Sequence, residues 1–298
     1  MQIIAENNLA ALPEVVMKFN KPVERQSILP SITPDVPGEW RYEQPISGNH
    51  LFTALVFIPE AKMNPNVQYK IELGNIKSFF NIGSASSYSF SFKPNASLVA
   101  AMPDQKITII DIKNDWQDSK LSCEAASLKM ALASKGIYVS EKEIMEKIGY
   151  DPTPHKGAVW GDPNKNFVGN INGKMCDNGY GVYWEPVALA ANNWRLAEYF
   201  SGGNIKKIVE EIEAGNPVIV WGTLPVKKIT DCSWYTPAGK YIKAFKQDHV
   251  RLVVGFTGEP ENPAKIILND SLSGRLYWDT DFFMNNWKAF DYSGVVIR

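Results

Sequence analysis

Short runs in which apolar and polar residues alternate fill the chain from Pro13 to about Asn95: VVMKFN, EWRYEQ, LFTALVFIP, VQYKIEL and YSFSFK, broken by Pro, Gly and Asn. A period of two places successive side chains on opposite faces of a strand, and no helical period competes with it here. The stretch therefore predicts an antiparallel β-sandwich of about 90 to 100 residues. The alternation lapses between Asn95 and Gln105, at N-A-S-L-V-A-A-M-P-D. That lapse sets the expected boundary, with residues 1–102 as the sandwich and 103–298 as a second domain.

Beyond it the period changes. Residues 106–112 (K-I-T-I-I-D-I) predict a strand, and a polar loop then runs into small and apolar residues, D-W-Q-D-S-K-L-S-C-E-A-A-S-L-K-M at 115–130. The later part predicts a helix that opens at Cys123 and stops at Gly136, a residue free to take the left-handed conformation of a helix end. Ser140 and Glu143 have capping-box spacing for a second helix closing near Gly149. Residues 151–183 are rich in Gly, Pro and Asn, and a loop of that length either lines a substrate groove or is a structural excursion. Pro186 is expected to start a helix over 187–200, and Asn204 to cap another over 205–214. VIVWG at 218–222 reads as a strand apolar on both faces. Strands follow at 250–256, 265–269 and 275–278, then a short helix ending at Trp287 and a closing strand at 293–297. Helices first and an antiparallel sheet after make this domain α+β.

Composition narrows the partners. The 31 basic and 32 acidic residues leave a formal charge of −1, which offers no electrostatic footprint for nucleic acid or an anionic membrane surface. No run approaches about 18 apolar residues, so no membrane span is expected. The N-terminus lacks a signal pattern, and an initiating Met ahead of what looks like mid-strand suggests a chain trimmed from a longer protein. Three cysteines, Cys123, Cys176 and Cys232, cannot all pair, although a bridge between the last two is open. None has metal-ligand spacing, and the three histidines are scattered, so neither a metal nor another cofactor is expected. His50 and His155 read as loop residues.

The remaining polar residues sort into one constellation. Cys123 at a helix opening lies where unpaired backbone N–H groups and the positive end of the dipole favour a thiolate. Gln117, six residues earlier, is placed to fold back and offer its side-chain N–H beside the Cys123 backbone N–H, two donors for an oxyanion. His249 heads one strand and Asp270 ends the next, so antiparallel pairing brings ring and carboxylate together. Asp248 is a rival orienting acid, but adjacent strand residues point to opposite faces. A thiol, a base and a carboxylate that fixes the base's tautomer are the parts needed to attack a carbonyl near neutral pH.

Residues from about 105 to 298 resemble the papain-like cysteine peptidases of the bacteriocin-processing, double-glycine leader type. The matching pieces are Q-D-S-K-L-S-C-E-A-A-S-L, D-P-N-K-N-F-V-G, G-Y-G-V-Y, N-P-V-I-V-W-G, D-H-V-R-L-V-V-G-F and L-N-D-S-L-S-G, in the family's order. The resemblance implies Gln117 as oxyanion donor, Cys123 as nucleophile, His249 as base and Asp270 as orienting acid. Many members have Cys-Gly-Pro where this chain has Cys123-Glu124-Ala125, which sets a negative charge beside the sulfur and leaves the substrate open. The first half resembles bacterial Ig-like domains of surface proteins, through F-N-K-P-V, I-T-P-D-V-P-G-E-W and P-N-V-Q-Y-K-I-E-L. Together these imply an extracellular or cell-surface peptidase acting on a peptide or protein substrate, cell-wall associated or otherwise. A catalytically silent binding module and a thiol-dependent acyltransferase are the competing expectations.

Overall fold

The computed structural model describes residues 15–24, 28–43, 51–59, 62–76, 86–94, 106–226 and 228–298. His50 and the expected boundary at 95–105 lie outside the described residues. The chain forms two compact units, one of residues up to Gln105 with Leu272–Arg275, the other of Lys106–Ser271 and Leu276–Arg298.

In the first unit the alternating runs become strands β1 (Val15–Glu24), β2 (Leu29–Thr33), β3 (Gly38–Glu43), β4 (Leu51–Pro59), β5 (Tyr69–Ile76) and β6 (Ser86–Phe92). They pair antiparallel as two three-stranded sheets, in the orders β1-β4-β3 and β2-β5-β6. Along β5 the period is plain: Tyr69, Ile71 and Leu73 are buried while Lys70 and Glu72 face solvent. Met17, Leu55 and Phe57 from one sheet join Ile32, Ile71 and Leu73 from the other in a single apolar core. Removing those faces from water is what holds the two sheets together.

The second unit is built on one antiparallel sheet. Its strands are β7 (Ile107–Ile109), β10 (Ala197–Phe200), β11 (Val218–Thr223), β14 (Asp248–Glu259), β15 (Asn262–Asp270), β16 (Gly274–Asp279) and β17 (Gly294–Ile297). Their order is β10-β17-β11-β14-β15-β16, with β7 pairing the far half of β14. Two short ladders lie outside it: β8 (Tyr150–Asp151) with β9 (Phe167–Val168), and β12 (Trp234–Tyr235) with β13 (Tyr241–Ile242). Helices α1 (Cys123–Ala133), α2 (Glu141–Ile148) and α3 (Trp184–Ala191) share one core with Ile219, Trp221 and Leu252. Helices α4 (Ile205–Glu213) and α5 (Thr280–Trp287) share the other with Val218, Val220 and Val253. Strand β11 is thus buried along its whole length, as its unbroken apolar run requires.

Local signals set most helix ends. The Ser140 and Glu143 capping box is formed in full, and the Asn204 side chain accepts the Lys207 N–H. Gly136 follows α1 at φ 76°. One expectation fails: the helix placed at 187–200 begins earlier, at Trp184, and ends at Ala191. Pro186 sits in its first turn, where a missing N–H is harmless. The Asn192 side chain bonds the Ala188 and Ala197 carbonyls and accepts the Ala197 N–H, turning the chain. Residues Ala197–Phe200 then pair with β17, so tertiary pairing overrides helical period.

The long polar segment 151–183 is tied down rather than free. Trp234 donates to the Gly161 carbonyl at 2.8 Å and Trp221 to the Val182 carbonyl at 3.0 Å. A disulfide joins Cys176 to Cys232, 56 residues apart, leaving Cys123 the free thiol. Replacing both bridged cysteines by serine is expected to lower unfolding stability by about 2–4 kcal/mol, through the chain entropy restored to the unfolded state. Urea unfolding of the double variant against the parent checks this.

Candidate active site

The loop before α1 is held from three sides. Glu141, the first residue of α2 and only 3% exposed, accepts the Asp118 N–H at 3.0 Å and the Ser122 hydroxyl. Burial, the largest influence, pushes its carboxyl up to about 7. Leu121 donates to the Ile171 carbonyl at 2.9 Å, fixing the loop to the 151–183 segment. Gln117 reaches the end of β15: its N–H donates to the Ser271 carbonyl and its Oε1 accepts the Ser271 hydroxyl at 2.8 Å. Its side-chain amide donates to the Ser119 and Lys120 carbonyls at 2.7 and 2.8 Å. In this state the amide of Gln117 closes the loop, and both of its protons are engaged.

This loop delivers Cys123 as the first residue of α1. The thiol is 7% exposed and donates to Oε2 of Glu124 at 3.4 Å. Burial raises its pKa well above the ordinary value, and the carboxyls of Glu124 and Asp248 push the same way. The Val250 backbone N–H, directed at the sulfur, pulls it down. Val250 follows His249 directly in β14, so the sulfur lies against the backbone beside the histidine. Cys123 and His249 share no hydrogen bond among the described residues.

Strand pairing assembles the second half of the site. In the β14–β15 ladder Leu252 faces Asn269, which sets Asp270 alongside His249 and Arg251. His249 Nε2 donates to Asp270 Oδ1 at 3.0 Å and Arg251 Nε to Asp270 Oδ2 at 2.7 Å. All three are at most 2% exposed. The guanidinium also stacks on Trp278, 4.5 Å from its ring centroid. Burial lowers the pKa of His249, with Asp270 opposing, so the neutral ring keeps its proton on Nε2 and leaves Nδ1 an acceptor. Asp248 stands elsewhere, near Tyr180 and Glu124, with its carboxyl raised by burial and Oδ1 without a hydrogen bond among the described residues.

Arg251 escaped the sequence reading, although its spacing of two from His249 puts both on one strand face. Glu141 escaped too, since nothing local marks a helix-start carboxylate as buried. His155 lies in the loop expected, stacked on Trp160 with ring centroids 4.2 Å apart, and both border a cavity of about 470 Å³ with Asn170 and Asn178.

An uncharacterized protein of Bacillus subtilis strain 168, YvpB, is 28% identical over 181 residues, spanning 59% of this chain and 68% of its own. The crystal structure of a putative C39-like peptidase from Bacillus anthracis superposes with a TM-score of 0.56 at 23% identity, covering 65% of this chain and 98% of that one. A double glycine motif protease from an AMS/PCAT transporter, solved with its leader peptide, is more distant at 15% identity and a TM-score of 0.37, covering 63% of this chain and 93% of that one. The model of the Peptidase_C39 like family matches residues 109–295, well over half the chain, and the protein belongs to that family.

Proposed function

We propose that the chain is a cysteine peptidase or amidase that cleaves a peptide or isopeptide bond, with Cys123 as nucleophile, His249 as base, Asp270 as orienting acid and Gln117 as oxyanion donor. The observation that carries this reading is the buried His249–Asp270–Arg251 cluster, which fixes the ring with Nδ1 as its acceptor nitrogen. Such a ring takes the thiol proton as sulfur bonds to the acyl carbon, then returns it to the leaving amine. Water adds to the thioester and regenerates the thiol. For the oxyanion, the Cys123 backbone N–H in the first helical turn supplies one donor. Gln117 supplies a second by exchanging one of its loop carbonyls for the substrate oxygen.

Family membership supports a peptide or protein substrate. The Cys176–Cys232 bridge supports action outside the cytoplasm, at a bacterial surface, with the N-terminal sheets as an Ig-like module. The full chain, incubated with libraries of peptides and isopeptides, should release new termini detectable by mass spectrometry. Cys123→Ala should release none. Cleavage that persists in Cys123→Ala overturns the assignment of the nucleophile, and a parent chain that releases no termini from any of these libraries favours a binding module. Added primary amine captured in the product would mark acyl transfer instead of hydrolysis.

A further inference from the structure

Glu124 is a buried carboxylate that the mechanism above leaves unused. It sits next to the nucleophile in sequence and in space: Oε2 accepts the Cys123 thiol at 3.4 Å and Oε1 accepts the Val182 N–H at 2.8 Å. The backbone makes room for it, because a Cβ on Gly181 would collide with Oε1. It is 3% exposed, so its charge acts on the sulfur with little water between.

We propose that Glu124 is the positioning residue that controls the nucleophile's proton: its carboxylate holds Cys123 as a hydrogen-bonded thiol, turned to itself instead of to His249, until that negative charge is removed. The inference rests on Cys123 being the nucleophile. Two outcomes are open to the pair at constant net charge. Either the proton stays on sulfur and Glu124 is the anion, or the S–H bond breaks, its electrons remain on sulfur and the proton forms an O–H bond with Oε2. Both being anionic at 3.4 Å is the disfavoured state. The groups facing the pair sharpen this: Asp248 from β14 and Glu141 from α2 add negative charge, and Tyr180 stands behind Asp248. Arg251 is a basic side chain coupled to the sulfur, and it is committed to Asp270. Burial pushes the Glu124 carboxyl up to about 7, so its charge changes near neutrality.

Glu124→Gln tests the idea, since glutamine keeps an oxygen for the Val182 N–H and loses only the charge. Because Cys176 and Cys232 are bridged, iodoacetamide reads Cys123 alone in the unreduced full chain. The pH midpoint of alkylation should fall by at least about one unit in Glu124→Gln, a rate gain of about tenfold at pH 7. Should that variant fold poorly by near-ultraviolet circular dichroism, Asp248→Asn should show a smaller fall in the same direction. An unchanged or higher midpoint in a folded Glu124→Gln overturns the proposal and leaves Glu124 an anchor for Val182. His249→Ala added to Glu124→Gln separates the two readings: an alkylation rate that stays independent of His249 once the Glu124 charge is gone removes the peptidase mechanism itself, whereas a midpoint that falls in Glu124→Gln and rises again in the double variant keeps both.

Discussion

Asp270→Asn is expected to reduce turnover by about 10⁴-fold, the loss that follows when an orienting carboxylate is exchanged for its amide. The physical reason is specific to this site. The Asp270 oxygens accept from both His249 Nε2 and Arg251 Nε, and asparagine has one oxygen to offer them. The amide oxygen will go to the guanidinium, which is always charged, and the amide N–H will then face Nε2. The imidazole must move its proton to Nδ1, the nitrogen required as acceptor. The same change leaves a buried guanidinium without its counter-ion, which is expected to destabilise the fold by about 3–5 kcal/mol. Steady-state kinetics with urea unfolding of the same variant measures both. Turnover within tenfold of the parent would mean that Asp270 does not orient the base.

The second large effect is on stability against pH. Glu124 and Glu141 have carboxyls at about 7 in the folded protein, against an ordinary 4.5. Between those values the folded state binds more protons than the unfolded one, so stability falls as pH rises from 4.5 to 7. Each shift corresponds to roughly 3 kcal/mol. The two carboxyls repel one another and titrate as a pair, so the decline is gradual. Asp248, raised as well, extends it upward. His249 opposes: its lowered pKa contributes stability that is present above 6.5 and lost as pH falls through the folded value. Above pH 6.5 the decline therefore belongs to the carboxyls. Urea unfolding at pH 5.5, 6.5 and 8 should show lower stability at pH 8 than at 6.5, and Glu141→Gln should flatten the profile. A protein most stable at pH 8 would contradict the burial of these groups as neutral acids.

What the chain discloses before folding depends on how local each cause is. Period-two runs and the Ser140 capping box act within a few residues, and the strands and α2 stand where those signals put them. The meeting of His249 and Asp270 follows from pairing two neighbouring strands, a contact of short sequence range. Ala197–Phe200 is different, because its strand exists only through a partner some hundred residues away in β17. Glu141 likewise gains its role from a loop 23 residues upstream that only the packed helices bring near. Arg251 went unread although strand alternation puts it on the face of His249, whereas no local signal marks the resting engagement of the Gln117 amide, since it depends on how tightly the 117–122 loop closes.

The three cysteine sulfurs make opposing demands on any assay. On the proposed mechanism Cys123 must stay reduced, while Cys176 and Cys232 brace the segment that the 117–122 loop leans on through Leu121 and Ile171. A strong dithiol added to protect the first would open the second, so apparent inactivity in such a buffer would report a slackened support and not a missing catalyst. Mild monothiols, or anaerobic handling without any thiol, let the two sulfur states coexist.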